Sequence, residues 1–556
     1  MRCRLLVLLL LSLSTLASAA SPNVILITLD STRADRMGFL GARHPTPAAD
    51  ALSRQSLIFE HAYAQTPLTV ASHTAILTGT YPQTNQATEF GSPLPSALPY
   101  LPDLFRARGY RTAAFVASIT LDPKNGSASG FNRGFSTYDA GFHQPQKGES
   151  RSQSLERRGE QVAARATAWL ARNSKGPFFL WIHLNDAHAP YGTSYDNAVG
   201  RADAAVGKVL AALRASKLLD DAAVVLTADH GESLGAHGED THGVFLYDET
   251  IHVPLLLKLP QNQMAAKRIP SKVRLVDVAP TLLEVAGLPV PSQMQGESLL
   301  RIAKSSGGDQ PVYSRSDFPQ RAFGWSSLES WRAGKYLYIR APKPELYDLS
   351  ADPGATRNLA QTSKATLDTM AGQLETFDRH FTAAGKATEL TSSEVQKLAS
   401  LGYVGLQKSA GTSTSVTGTD PKDAIATANK VIAALLADGN EKSASTLQSV
   451  VSSQPNTYLA QYGLGAILAR QQQYPTAIEH LHKAIELQPD SAWAHYYMGQ
   501  SLLKTGDAKT AVVHLEIATT RLPENAEAHA MLAQAYEKIG RTEDAKKEKL
   551  KAGLKT

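Results

Sequence analysis

Four stretches of this chain bring carboxylate, hydroxyl and imidazole groups to the ends of apolar runs. The most specific is Leu226-Thr227-Ala228-Asp229-His230-Gly231-Glu232-Ser233, with His237 and Thr241-His242-Gly243 close behind. A strand ending in Asp-His-Gly sets a carboxylate beside an imidazole, and Gly231 lets the backbone turn sharply. Asp together with His suits a divalent ion of the Zn or Mn kind better than Ca, which prefers oxygen ligands alone. In Ile25-Leu26-Ile27-Thr28-Leu29-Asp30-Ser31 the acid directly follows an apolar strand, which sets Asp30 at a sheet rim. Taken alone, Asp30 reads first as a cap for the next segment. The stretch Trp181 to Pro190 delivers Asp186 and His188 to the same kind of rim, while His183 alternates into the strand and reads as structural. The last stretch, Thr66 to Gly79, is a hydroxyl-rich loop opening a short helix after Pro67 and stopping at Gly79. A hydroxyl at a helix start is either a cap or a nucleophile placed where free N–H groups and the helix dipole favour an anion. Locally the cap reading wins.

The elements that must position these groups are strands and helices in alternation. Val24 to Ile27, Phe178 to Leu184, Ala223 to Thr227 and Leu255 to Leu259 read as buried strands, and Leu155 to Arg172 and Asp203 to Ser216 as helices. That order predicts an α/β fold with a mostly parallel sheet, and such sheets collect ligands at the C-terminal ends of their strands. The chain's 556 residues exceed what one core of about 250–300 residues accommodates, so more than one domain is expected. The net charge of +5 is small, and the absence of a basic block argues against nucleic-acid binding.

Arg2 and Arg4, the apolar run Leu5 to Leu13 and the small residues Ala17-Ser18-Ala19 have the form of a cleaved export signal, residues 1–19. An uncleaved anchor is the rival reading, although the run is shorter than the about 20 residues that a bilayer takes. The mature protein is therefore expected to be exported, periplasmic or secreted, without an integral span. The only cysteine is Cys3, inside that signal. The mature chain then has no disulfide, no thiolate metal site and no cysteine nucleophile.

After a catalytic region expected over 20–405, residues 406–420 lack apolar periodicity and read as a flexible linker. From Pro421 to Thr556 the chain repeats at 34 residues: Pro455, Pro489 and Pro523, then Gly465, Gly499 and Ala533, then Ala477, Ala511 and Ala545. Leu464, Met498 and Leu532 fill the matching large positions. This period strongly resembles tetratricopeptide repeats, an all-α solenoid, with residues 424–454 a degenerate first copy. Its Leu, Ala and Tyr stripes read as core, and its concave face as a surface for a protein partner.

The order and spacing of several stretches in residues 21–405 resemble the sulfatase family of the alkaline phosphatase superfamily. They are Pro22-Asn23-Val24-Ile25 through Asp30, the Thr69 loop ending Leu77-Thr78-Gly79, His188-Ala189-Pro190, Asp229-His230-Gly231, Val276 to Leu282, and Glu345 to Leu349 with Asp352-Pro353. The resemblance implies an alkaline-phosphatase-like three-layer domain with a small C-terminal subdomain, acting on a small anionic ester. It also implies a divalent metal held by Asp30, Thr69, Asp229 and His230, with Thr69 as nucleophile and His188 and His242 touching the transferred group or the leaving oxygen. Asp186, His73 and His237 are further candidates for a second metal or a substrate contact.

The chain departs from a true sulfatase at the centre of the pattern. Sulfatases mature Cys or Ser to formylglycine within Cys/Ser-x-Pro-x-Arg, whereas this chain reads Thr69-Val70-Ala71-Ser72-His73. Threonine cannot become formylglycine, so none is expected. The family's second acid after Asp30 is Ser31, and the usual Asn after the late acid is His230. No Lys-x-His stands between Phe115 and Leu121. These changes are similar to superfamily members with a threonine nucleophile, the phosphodiesterases and phosphoethanolamine transferases. The expectation is therefore cleavage of a phosphate mono- or diester, as hydrolase or transferase. The alternatives are a sulfatase working without formylglycine, and a repeat-domain scaffold with a degenerate catalytic domain.

Overall fold

The computed structural model describes residues 21–555 apart from 88–92, 125, 127, 143–156, 306–308, 382–391, 402–417 and 438–440. The segment read as an export signal and most of the segment read as a linker lie outside the described residues.

The central strand, β1 (Val24–Leu29), is buried along its whole length, as a near-continuous apolar run must be when both faces of a parallel sheet are covered. It belongs to a sheet with β2 (Leu57–Tyr63), β3 (Arg111–Phe115), β4 (Thr137–Asp139), β5 (Phe178–Leu184), β6 (Ala223–Ala228), β7 (His252–Lys258) and β8 (Arg268–Arg274). The order is β4-β3-β5-β1-β6-β7-β2-β8. All pairings are parallel except those of β7 with β6 and β2. Register fixes the site: Leu29 lies level with Leu184 of β5 and Ala228 of β6. The backbone N–H of Asp30 then reaches Leu184 O at 2.8 Å, and that of Asp229 reaches Leu29 O at 3.2 Å. The two acids emerge side by side from adjacent strands.

Three helices matter for the site. Helix α1 (Thr69–Thr78) is buried throughout and ends on Gly79 in the left-handed region. Helix α2 (Gly159–Asn173) packs on β5 and β3. Helix α3 (Tyr195–Ala215) starts earlier than the apolar periodicity suggests, because the Ser194 hydroxyl accepts from Asn197 N and fixes its first turn. A second, antiparallel sheet of β9 (Val312–Ser316), β10 (Leu328–Ala333), β11 (Tyr336–Arg340) and β12 (Glu345–Asp348) forms the small subdomain. Its core is aromatic, with the Phe377 ring against both Tyr313 and Trp331.

The repeats form four helix pairs: α4 (Pro421–Leu436) with α5 (Glu441–Ser453), α6 (Tyr458–Arg470) with α7 (Tyr474–Leu487), α8 (Ala492–Thr505) with α9 (Ala508–Arg521), and α10 (Ala526–Lys538) with α11 (Thr542–Lys551). The small positions of the period are steric. A Cβ on Gly465 would stand 2.7 Å from Leu481 Cγ, and one on Gly499 would stand 2.5 Å from Leu515 Cγ. Leu464, Met498 and Leu532 are buried, as expected of the large positions. Among the described residues, no helix is long and apolar enough to cross a membrane.

Candidate active site

Thr69 is the first residue of α1, and its hydroxyl is not used as a cap. Its Oγ1 lies 3.3 Å from His230 Nε2. Around that contact Asp30 Oδ1 is 3.7 Å and Asp229 Oδ2 3.6 Å from the same imidazole nitrogen. All four residues are buried. Asp30 is no helix cap either: its Oδ1 accepts from the Ser31 hydroxyl at 3.0 Å, and its Oδ2 faces His183 Nε2 at 3.2 Å. Asp229 Oδ1 accepts from the backbone N–H of Ser31 and His230. Burial works against the charge on Asp30, but the His183, His188 and His230 imidazoles outweigh it and hold the carboxyl below its usual range. Burial, and then the Asp30 charge beside it, pushes the Asp229 carboxyl up.

The histidines divide by what holds Nδ1. A carbonyl or carboxylate oxygen only accepts, so the nitrogen against it carries the proton and the other is left with a lone pair. His230 Nδ1 donates to Gly231 O at 2.9 Å, His188 Nδ1 to Ala189 O at 2.7 Å, and His242 Nδ1 to Glu232 Oε1 at 3.1 Å. Each keeps Nε2 for chemistry. Burial opposes a charge on His242, yet the Glu232 carboxylate more than offsets this and raises its pKa. The ring centres run in sequence, His230 to His242 at 4.4 Å and His242 to His188 at 5.2 Å. His73 is built differently. Its Nδ1 donates to Thr69 O at 2.8 Å, and its Nε2 accepts from the Thr28 hydroxyl at 2.9 Å. Both of its nitrogens are committed.

Two groups of buried side chains bring ligand atoms within 4.8 Å of one another: Asp30, Asp229 and His230, and His73, His183 and Asp229. Hydrogen bonding chooses between them. In the second group His73 would have to break two bonds, and His183 Nδ1 already accepts from Ala117 N. In the first, Asp229 Oδ2 is buried without a hydrogen-bond partner and Asp30 Oδ2 faces only His183 Nε2, and an unpartnered oxygen in a native interior calls for an explanation. Two adjacent buried carboxylates with a neutral imidazole fit a divalent cation, which offsets their mutual repulsion.

Residues 22–288 match the Sulfatase family model, and residues 240–379 the model for the C-terminal region of N-sulphoglucosamine sulphohydrolase. Residues 465–506 and 502–548 match tetratricopeptide repeat models. The chain carries a sulfatase-family domain followed by tetratricopeptide repeats. Arylsulfatase K of Rattus norvegicus is 26% identical over 62% of this chain and 75% of its own length. The ulvan-active sulfatase of Formosa agariphila is 24% identical over 64% of this chain and 80% of its own. The phosphonate monoester hydrolase of Agrobacterium radiobacter shares the fold, with a TM-score of 0.54, 19% identity, and 67% of this chain and 98% of that one covered.

A sulfatase-family protein is a hydrolase acting on sulfuric or phosphoric ester bonds, and the family generally binds a divalent metal. In this sulfatase-family domain Ser31 is a hydrogen-bond donor to Asp30 rather than a ligand acid. Asp186 accepts from Gly159 N at the start of α2. His237 stacks on Tyr247 at 3.6 Å with Nε2 3.8 Å from Glu249, outside the Asp30–Asp229–His230 group. Glu232, His183 and Thr28 hold site residues and were not singled out from sequence for that role. Glu232 lies inside the quoted Asp229-His230-Gly231-Glu232 run, so a signal was there. For His183 strand alternation pointed inward correctly but could not show that inward meant toward Asp30.

Proposed function

We propose that this protein cleaves phosphate mono- or diesters through Thr69, which becomes transiently phosphorylated. The observation that carries the reading is a buried threonine hydroxyl at a helix start, 3.3 Å from His230 Nε2 and beside the buried carboxylates of Asp30 and Asp229, the latter with an unpartnered oxygen. Asp30, Asp229 and His230, with the Thr69 hydroxyl, would hold a divalent metal, Zn or Mn rather than Ca because one donor is an imidazole. When bound, such an ion lowers the pKa of the hydroxyl and neutralises charge on the ester. The chain's own residues do the rest. Thr69, its hydroxyl proton lost to solvent as its pKa falls, forms an Oγ1–P bond as the ester oxygen leaves in line, and that oxygen takes a proton from the imidazolium form of His188 or His242, whose Nδ1 stays on Ala189 O or Glu232. Water or an alcohol then attacks phospho-Thr69 and restores the hydroxyl. A sulfated threonine has no comparable exit, whereas a formylglycine hydrate expels sulfate by collapsing to the aldehyde.

A second reading, sulfate-ester hydrolysis without formylglycine, is favoured by the names of the relatives, arylsulfatase K and an ulvan-active sulfatase. Assay of the metal-loaded protein on aryl phosphate, aryl phosphodiester and aryl sulfate separates the two. We expect turnover on a phosphate ester, a loss of at least about a thousandfold in Thr69→Ala, and a phosphoryl adduct on Thr69 after acid quenching. Native-rate turnover by Thr69→Ala, or turnover of the sulfate alone, would sink the phosphate reading. Metal binding without turnover of any ester would favour a degenerate scaffold. The same reading divides the chain at residues 405 and 421, takes residues 1–19 as a cleaved export signal, and assigns a protein partner to the repeats.

A further inference from the structure

We infer that the substrate carries a second anionic group on its leaving part, received by Arg158 and Arg201 in a cleft behind His188. This rests on the reading of Thr69 as the cleavage centre. The cleft holds about 520 Å³ and is lined by Arg157, Arg158, Asn185, Asp186, His188 and Arg201 among others. His188 joins the cleft to the site: Thr69 Oγ1 is 3.3 Å from His230, whose ring neighbours His242, whose ring neighbours His188 on the cleft wall. A leaving group that takes its proton from His188 departs into this space.

The three arginines differ in what they already do. Arg157 is consumed by the fold: Nη1 donates to Val116 O and Asp139 O, and Nη2 pairs with Asp139 at 2.8 Å. Arg201 spends one N–H on Tyr191 O at 3.0 Å. Among the described residues, no carboxylate lies within ion-pair distance of Arg158 or Arg201, and both are exposed. The cleft's own acid, Asp186, is turned to Gly159 N; burial pushes its carboxyl up, against that bond and the more distant charges of Arg201 and Arg158, so one buried carboxyl stands against three guanidinium groups. The cleft is therefore a positive recess with guanidinium donors to spare. Guanidinium suits carboxylate, sulfate and phosphate alike, through paired N–H bonds. A substrate with a plain hydrocarbon leaving group would leave these donors facing water.

The test is binding, by calorimetry on the full-length metal-loaded protein, of two ligands that cannot be hydrolysed: phenylphosphonate and 3-carboxyphenylphosphonate. We expect the carboxylated ligand to bind about tenfold tighter, with the preference shrinking as salt is raised. In the Arg158→Gln, Arg201→Gln double variant the preference should fall to about one, while phenylphosphonate binds as before. That unchanged affinity also shows the variant to be folded. Equal affinities in the native protein, or an equal loss for both ligands in the variant, would overturn the inference and leave Arg201 as a clamp on the Tyr191 turn. Benzenesulfonate and 3-carboxybenzenesulfonate form a second pair. If only that pair binds and shows the preference, the arginine site stands and the choice of phosphate falls. Binding of neither pair overturns both.

Discussion

At the scale of the residue, the site depends on which side chains have spare valence. Thr28 illustrates the opposite condition. Its hydroxyl accepts from Trp181 Nε1 at 3.0 Å and donates to His73 Nε2 at 2.9 Å, and His73 in turn holds the carbonyl of Thr69. Every polar atom in that relay is satisfied, so its role is to seat the start of α1. His183 stands instead against Asp30 Oδ2, an atom assigned to the metal. The two variants should therefore fail differently. Thr28→Val strands a buried indole N–H and a buried imidazole nitrogen, and should cost about 2–4 kcal/mol of unfolding free energy. Zinc affinity should hardly change. His183→Phe frees the Asp30 carboxylate to turn, and should weaken zinc binding about 10–100-fold. Denaturant midpoints and competition with a chelating dye measure the two; equal zinc affinity in His183→Phe and the native protein would remove the positioning role. In the sequence, Asp30 and Thr69 read locally as caps, and the set Asp30, Thr69, Asp229 and His230 comes together only through the family resemblance, because the strand ends and the helix start mark positions but not their convergence. Sequence could not name Thr28 or His183 for these roles, because their meaning lies in a neighbour 45 or 153 residues away.

At the scale of the element, the repeats carry a polar rung that the 34-residue period conceals. Gln461, His495 and His529 occupy one repeat position, and each donates to the carbonyl of the proline six residues earlier. Each also meets the residue 19 further on: His480, His514 and Glu548. The prolines and the small positions were legible because one residue type recurs. The rungs were not, since Gln–His, His–His and His–Glu share a geometry and no letter pattern. The middle rung makes a pH prediction. His495 Nε2 donates to Pro489 O, so its Nδ1 accepts from His514 Nδ1 at 2.9 Å and both rings are neutral. Burial lowers His495 from 6.5 to about 4. A folded-state pKa below the unfolded one means that stability is intact above about 6.5 and is lost as pH falls toward 4. The loss from His495 by pH 5 is about 2 kcal/mol. Gln461 shows that a non-titrating side chain serves at this position, and His495→Gln keeps both bonds. Hydrogen exchange of α8 and α9 in the full chain at pH 7 and 5 should show less acid opening in His495→Gln than in the native protein. Identical acid sensitivity would exclude His495 as its source.

At the scale of the whole molecule, the same loop of successive repeats meets the catalytic domain. Asn456, Asp490 and Glu524 stand 34 residues apart. Asn456 O would meet a Cβ on Gly324 at 3.9 Å, Asp490 pairs with Arg321 at 3.0 Å in a buried contact, and Glu524 accepts from Asn132 at 2.6 Å. At the first repeat Asn429 donates to Gly238 O and accepts from Asp240 N, gripping the segment between His230 and His242. Thr419 and Asp420, at the end of the stretch read as a flexible linker, are themselves hydrogen-bonded to Ser326 and Lys343. Nothing in the sequence announced this seam, because Arg321 and Asp490 are ordinary surface-type residues 169 apart in the chain. The seam argues that the solenoid is part of the catalytic scaffold. A cycle on the buried pair tests it. Arg321→Leu strands the buried Asp490 carboxylate, and Asp490→Leu removes the acid that Arg321 reaches across the seam; each should weaken docking by about 3–5 kcal/mol, whereas the double Leu variant should recover most of that loss. Small-angle scattering should show the single variants extended and the double one compact. Because Asn429 holds the His242 segment, turnover should fall in the singles and return in the double. Extended single variants with native turnover would make the repeats a passenger in catalysis and confine their role to partner binding.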